Sequence, residues 1–257
     1  MLSARSLFEE IRSHDTSFQL FCSVAAKGET QGGWENERIA ALTKDPRLAE
    51  RIARHGADET KHGRIFDALL RKRGIARGPV PDETDYCMRL ERQGIGLAHD
   101  RLRSDQALED EELLAYLIHS RVTEQRAFEE IQQQLAIFRD DPELGKAVRT
   151  IADDEQRHLA YCHAELLRFA KRGYADTIRR MLKEYAMVEI RTYRDVSLAV
   201  MGRMGDILGW SRLRQGILRL GIRAIYTVER AWTWRRMVTL RAPSDPDPMG
   251  GRAPQEA

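Results

Sequence analysis

The chain has 257 residues, of which 32% are charged and 42% hydrophobic, with a net charge of +2. That balance excludes a collagenous or low-complexity polymer and predicts a globular protein rich in amphipathic helix, as one large domain or a domain with an extension. Cys22, Cys87 and Cys162 form no Cys-x-x-Cys, which excludes a thiolate zinc site or a rubredoxin-type iron centre and fits a reduced, cytoplasmic setting.

Arg5, Glu9, Glu10 and Arg12 interrupt any apolar leader at the N-terminus, and no run reaches the length of a membrane span. Over residues 16–43 apolar side chains recur at helical spacing, with Phe18, Phe21, Val24, Ala25, Ile39 and Leu42 on the repeat. Asp45-Pro46 then supplies an N-cap and a pre-shaped first position for a second helix, expected to run to about residue 73 and to stop at Gly74. The run Gly78-Pro79-Val80-Pro81 breaks any helix, and residues 82–103 read as partly helical, weakened by Gly94 and Gly96. A third helix is expected from near Glu109 to near Arg139. Asp141-Pro142 repeats the cap, and a fourth helix is expected to reach about Lys171, with Gly173 as its stop.

Two segments within these helices match. Residues 45–62 and 141–158 are identical at six of eighteen positions, including Asp58, Glu59 and His62 in the first and Asp154, Glu155 and His158 in the second. Each carries Glu-x-x-His thirteen residues after its proline, and residues three apart share a helical face. A metal pair between two such motifs needs one more Glu from the other helix of each hairpin, at the same height. Glu59 and His62 lie 12 and 15 residues beyond Arg47, and Glu29 lies 14 residues before Thr43. Glu37 would be roughly 10 Å off level at ~1.5 Å per residue. Glu124, 15 residues before Arg139, stands in the same relation to Glu155 and His158. The expected metal ligands are therefore Glu29, Glu59, His62, Glu124, Glu155 and His158.

Four ionised Glu buried together without cations would repel strongly, whereas two divalent ions neutralise them. Carboxylate and imidazole without thiolate suit iron or manganese. Asp58 and Asp154 are expected behind the ligands, each accepting the second ring N–H of a histidine, with Lys61 and Arg157 holding those carboxylates. His55, one turn before Glu59, reads as a core or supporting residue, and His119 and His163 as locally hydrogen-bonded. Cys162 reads as core packing, as do Trp34, Tyr116 and Tyr161, for which an electron relay is the other reading. The two hairpins and their crossover of roughly 35 residues predict an all-α, ferritin-like four-helix bundle over 1–173. A basic amphipathic helical extension is expected over 174–241, and a disordered tail over 242–257.

These residues resemble the ferritin-like di-iron carboxylate superfamily. Asp-Glu-Thr-Lys-His at 58–62 and Asp-Glu-Gln-Arg-His at 154–158 are similar to the Asp-Glu-x-Arg-His signature of bacterial multicomponent monooxygenases and acyl-carrier-protein desaturases, with Lys61 as a departure. The separations Glu29 to Glu59 and Glu124 to Glu155, 30 and 31 residues, and the stretch at 27–42 resemble aldehyde-deformylating oxygenases more closely. The resemblance covers about residues 16–173. It implies two iron ions (or a manganese–iron pair), O₂ as co-substrate, an electron-donor protein, and oxygenation, desaturation or C–C cleavage of an apolar substrate such as a fatty acyl or aldehyde chain. Gly32 and Gly33, just after Glu29, are expected to open a substrate channel beside the metals; close helix packing is the other reading.

Residues 205–241 hold eight Arg against Asp206 and Glu229. Arg212, Arg219, Arg223 and Arg230 follow 7, 4 and 7 spacings and share one helical face, while Leu213, Ile217, Leu220 and Ala224 line another. That segment suits a solvated flap, an anionic membrane surface, an acyl carrier or RNA. Alternative functions are a ferritin-like tRNA hydroxylase and a ferroxidase or iron-handling protein, and a homodimer is compatible with all of them. A rubrerythrin-type peroxidase is disfavoured by the missing cysteine motif.

Overall fold

The computed structural model describes residues 3–240, and among them there are helices and no strand. Helix α1 (Ala4–Ser13), which the sequence pattern did not suggest, begins at a capping box in which the Ser3 hydroxyl accepts the Ser6 N–H. It is followed by α2 (Asp15–Leu42) and α3 (Pro46–Lys72). Asp45 caps α3 by accepting the N–H groups of Arg47 and Leu48, and Gly74 takes φ +69° after its end. The crossover holds two short helices, α4 (Tyr86–Glu91) and α5 (His99–Leu102). A second hairpin follows, α6 (Asp110–Phe138) and α7 (Gly145–Phe169).

Helix α7 starts later than Asp141-Pro142 implies. The Asp141 carboxylate accepts the N–H groups of Glu143 and Leu144 and so caps a turn that precedes the helix. Gly173 does end the run, with φ +103°, but the chain continues at once into α8 (Ala175–Ile207). Helix α9 (Arg212–Val228) and a short α10 (Arg235–Val238) complete the described chain. The expected tail at 242–257 lies outside the described residues.

The boundary expected at 173/174 is not a boundary in the packing. Ile178, Leu182, Ala186 and Ile190 of α8 share one apolar cluster with Leu114, Leu117 and Leu166 of α6 and α7. Helix α8 therefore belongs to the main core, and only α9 stands out from it. A buried ion network ties the pieces together. Arg126 on α6 donates to both carboxylate oxygens of Glu189 on α8 at 2.9 Å each, and lies 2.7 Å from Glu229 in the wide turn after α9. No helix among the described residues is long and apolar enough to cross a membrane.

Each bundle helix passes from one apolar cluster to a polar layer to a second apolar cluster. On α2 the order is Phe18 and Cys22, then Glu29, then Ile39 and Leu42. On α3 it is Leu48 and Ile52, then residues 55–62, then Phe66 and Leu70; α6 and α7 repeat it around Glu124 and residues 154–158. The acidic layer is thus held between two dry regions, which determines the chemistry of its side chains.

Candidate metal centre

Two groups of potential ligands converge in this layer. Glu29, Glu59, His62 and Glu155 form one, and His55, Glu59, Glu124 and His158 the other; within each group the donor atoms lie within 4.8 Å of one another. Glu59 belongs to both. All six residues expected from spacing are gathered here, and His55 joins them. Its Nε2 lies 3.1 Å from Glu59 Oε1 and 3.3 Å from Glu124 Oε1, and its ring lies 3.9 Å from that of His158. The signal available in the sequence was its position one turn before Glu59 on the face that also carries His62.

No family model matches the chain, and a search of curated proteins returns no match. What the centre can do must be read from its own residues.

The donor set fits a pair of divalent cations. Glu124 Oε2, Glu155 Oε2 and both ring nitrogens of His158 are buried with no hydrogen-bond partner. Buried polar atoms in folded proteins almost always have partners, and three of these orphans, Glu124 Oε2, Glu155 Oε2 and His158 Nδ1, are directed at one layer and point to cations as the missing ones. His62 turns Nδ1 inward, 3.2 Å from Glu29 Oε2 and 3.5 Å from Glu155 Oε1. His158 also turns Nδ1 inward, 3.5 Å from Glu59 and 3.6 Å from Glu124.

The supporting residues lie where spacing put them, but across the hairpins. Asp154 on α7 takes the Nε2 of His62 on α3 at 2.9 Å, and Asp58 on α3 lies 3.5 Å from the Nε2 of His158 on α7. Lys61 Nζ sits 2.6 Å from Asp58 Oδ1 and 2.6 Å from Asp154 Oδ2. Arg157 pairs with Asp154 and lies 3.6 Å from Asp58. Asp154 is held below the usual carboxylate range because hydrogen bonds from Lys61 and His62 outweigh its burial.

Without metal the layer resists full ionisation. Burial, reinforced by neighbouring carboxylates, pushes Glu29 and Glu155 up to about 8 and Glu59 up to about 7. Burial opposes charge on Glu124, His55 and His158 too, but their mutual attraction outweighs it. Glu124 is held well below its ordinary value, while His55 rises to about 9 and His158 to about 11. Protons thus occupy positions that cations would take, so metal binding there would displace them.

The two glycines after Glu29 divide their roles. Gly32 lines a cavity beside the layer, and a Cβ there would lie 3.0 Å from Glu59 Oε2. Gly33, expected to open a channel, sits instead at the α2–α3 contact: a Cβ would meet Thr60 Oγ1 and come within 3.1 Å of the Gly56 carbonyl oxygen. Gly56 and Gly63 continue that close approach and went unnoticed in the sequence. The helices meet closely because these positions lack side chains.

The cavity measures about 1280 Å³. Glu29, His55, Glu59, Glu124 and Glu155 form one part of its wall, and apolar residues such as Phe21, Val24, Ala25, Val196, Val200 and Met201 form much of the rest. From His55 a buried chain leads away from the ligands. Tyr161 Oη lies 2.8 Å from His55 Nδ1 and 2.7 Å from Tyr116 Oη, which donates to Asn36 Oδ1 at 2.6 Å. The two tyrosines are therefore not simple apolar packing. Trp34 is outside this chain, packed edge-on against His99. His163 keeps a buried Nε2 without the local partner expected for it. Arg212, Arg219, Arg223 and Arg230 are exposed, away from the ligand layer.

Proposed function

We propose that this protein is a ferritin-like, non-haem di-iron oxygenase or oxidase acting on an apolar substrate, such as a fatty acyl or aldehyde chain. The observation that carries this reading is the pair of ligand groups sharing Glu59, set in the wall of a large and mostly apolar cavity. The two hairpins support it as well: each contributes a lone Glu from its first helix and Glu-x-x-His from its second. Glu29, Glu59, His62 and Glu155 would hold one ion, and His55, Glu59, Glu124 and His158 the other. Donors of this kind suit iron, and a manganese–iron pair satisfies them equally.

Those residues would hold the ions in the ferrous form, from which two electrons would be available to O₂. Hydroxylation of a C–H bond consumes O₂, two electrons and two protons and yields an alcohol and water; an electron-donor protein restores the electrons. The chain's own residues do the remaining work. Lys61, Asp58, Asp154 and Arg157 orient the imidazoles. Phe21, Val24 and Val200 keep water from the substrate. The series His55, Tyr161, Tyr116 provides hydrogen-bonded positions through which a proton can move.

The test is to load ferrous iron anaerobically, admit ¹⁸O₂ with long-chain aldehydes, alcohols and fatty acids, and follow substrate and label by mass spectrometry. Substrate loss or label incorporation that depends on iron supports the reading. Iron oxidation with no organic substrate consumed would transfer the assignment to a ferroxidase or iron-handling protein. Salt-sensitive tRNA binding with hydroxylation of a tRNA base would transfer it to a ferritin-like tRNA hydroxylase.

A further inference from the structure

Helix α9 presents an outer row of apolar side chains that none of the described residues covers. Leu213 is 75% exposed, Ile217 49%, Leu220 70% and Val228 48%, all on one helical face; Ile225 lies exposed at its inner edge, and Trp232 just beyond the helix is 66% exposed. Single exposed apolar residues are ordinary on a protein surface, but a continuous row of large ones marks an interaction site. Beside this row run Arg212, Arg219 and Arg223, continued by Arg230, all exposed. Among the described residues no carboxylate pairs with any of these four. Arg214 and Arg236 differ, since Glu10 holds the first and Glu129 and Glu229 hold the second. The seventeen residues of α9 include no Asp or Glu.

The other side of α9 faces inward. Leu218, Ile222 and Tyr226 form part of the wall of the cavity that reaches the ligand layer. Ile217 and Ile225 belong to both surfaces, being exposed and also lining that cavity. The apolar row is therefore continuous with the cavity rim.

We propose that α9 docks the protein on an anionic membrane surface, and that the cavity takes its apolar occupant from the bilayer past Ile217 and Ile225. A lipid interface satisfies both rows at once. Acyl chains receive the leucines and isoleucines to a depth of about 5–10 Å, and anionic headgroups meet the unpaired guanidinium groups. A second copy of the chain satisfies one row only, because apposing two α9 helices would set arginine against arginine with no acidic residue between them. RNA would satisfy the arginines and leave the leucines in water. Docking stands on α9 alone; the choice of an apolar occupant rests on the function proposed above.

The full-length chain is to be sedimented with vesicles of phosphatidylcholine, with and without about 30% phosphatidylglycerol, at low and high salt. Binding to the anionic vesicles is expected to be roughly tenfold or more tighter than to the neutral ones and to weaken with salt. The pairs Leu213→Glu with Leu220→Glu, and Arg219→Glu with Arg223→Glu, are each expected to lower it by roughly tenfold or more. Circular dichroism and melting temperature should stay unchanged, because these side chains touch no core. Docking is overturned by no binding at low salt, or by binding that both pairs leave intact. It is also overturned by a light-scattering dimer that the leucine pair abolishes, or by RNA binding tighter than vesicle binding. Loading is tested separately in the metal-free protein, by following transfer of a fluorescent fatty acid from anionic vesicles. Slower transfer in the docking variants, with unchanged uptake from solution, supports it; equal transfer rates overturn it whatever the metal chemistry proves to be.

Discussion

Asp154 on α7 accepts the Nε2 hydrogen of His62 on α3 at 2.9 Å. The bond crosses from one hairpin to the other and sets the direction of the imidazole. An ionised carboxylate only accepts, so Nε2 carries the hydrogen and the ring turns Nδ1 toward Glu29 and Glu155, where its lone pair would be available to a cation. Lys61 keeps Asp154 ionised from 2.6 Å away. Asp154→Ala removes the bond that orients that ring and frees it to turn. Metal affinity is expected to fall by about 10- to 100-fold in competition with a chelator. The exposed neighbour, in Asp153→Ala, should leave it unchanged. Wild-type affinity in Asp154→Ala would show that His62 needs no such support.

His55 separates the two ligand groups experimentally, because it belongs to only one of them. His55→Ala is expected to leave one ion held by Glu29, Glu59, His62 and Glu155 while the other weakens by roughly 10-fold or more. Metal analysis after passage over a chelating column should then read close to one ion per chain where the native protein reads close to two. Tyr161→Phe removes only the hydroxyl behind His55 and should retain both ions. Two tightly held ions in His55→Ala would return the histidine to a supporting role.

The metal-free protein should lose stability as pH rises. Glu29 and Glu155 sit at about 8 and Glu59 at about 7, against an ordinary value of 4.5. From pH 4.5 up to those values the folded state binds more protons than the unfolded one, so stability declines across the window. His55, raised from 6.5 to about 9, and His158, raised to about 11, act in the same direction from pH 6.5 upward. Glu124 is held low, so its contribution is already complete there. Melting temperature without metal is expected to fall from about pH 5 to about pH 9. Metal loading should release protons and flatten that slope. A metal-free melting temperature that climbs toward pH 9 would contradict the burial of this acidic layer.

The ligand layer was legible because two constraints met on it. Helical periodicity placed four long elements, and equal distances from the two hairpin turns selected Glu29 and Glu124 from several acidic neighbours. His55 escaped because its value depends on Glu124, brought to it from α6 by the fold and invisible in local spacing. Helix α8 was assigned to an extension for a similar reason. Its contact with α6 is partly made by Arg126 and Glu189, residue types that read as solvated until both are found buried. Gly33 stayed open between channel and close packing, because spacing cannot show that what it meets is the backbone of α3.

That same α6–α8 contact makes a stability prediction. Glu189 is fully buried and Glu229 nearly so, and Arg126 pairs with both. Arg126→Met leaves Glu189 without its cation in a dry region and Glu229 with Arg236 alone, and is expected to destabilise the fold by about 3–5 kcal/mol. Replacing Glu189 by Met as well should recover part of that loss, since a buried pair exchanged for apolar groups is often tolerated. Chemical denaturation of the single and double variants measures both effects. A double variant less stable than Arg126→Met would mean that Glu189 acts through something other than this pair.

Gly32 and Gly33 are adjacent but should respond oppositely to alanine. At Gly33 the new methyl meets the Gly56 carbonyl oxygen and the Thr60 nitrogen at 3.1 Å each, and that backbone cannot yield without parting α2 from α3. Overpacking of this kind costs about 1–3 kcal/mol, more than the ~1 kcal/mol that alanine gains over glycine inside a helix. Gly33→Ala is therefore expected to lower the melting temperature. At Gly32 the methyl meets only the end of the Glu59 side chain at 3.0 Å, which can swing aside. Gly32→Ala should keep or slightly raise the melting temperature of the metal-free protein while weakening metal binding, because the carboxylate it displaces serves both ligand groups. Thermal melts and metal titrations of the two variants decide the matter. Equal stability losses would show that Gly32 is packed as closely as Gly33, and undisturbed metal binding in Gly32→Ala would show that Glu59 does not serve both ligand groups.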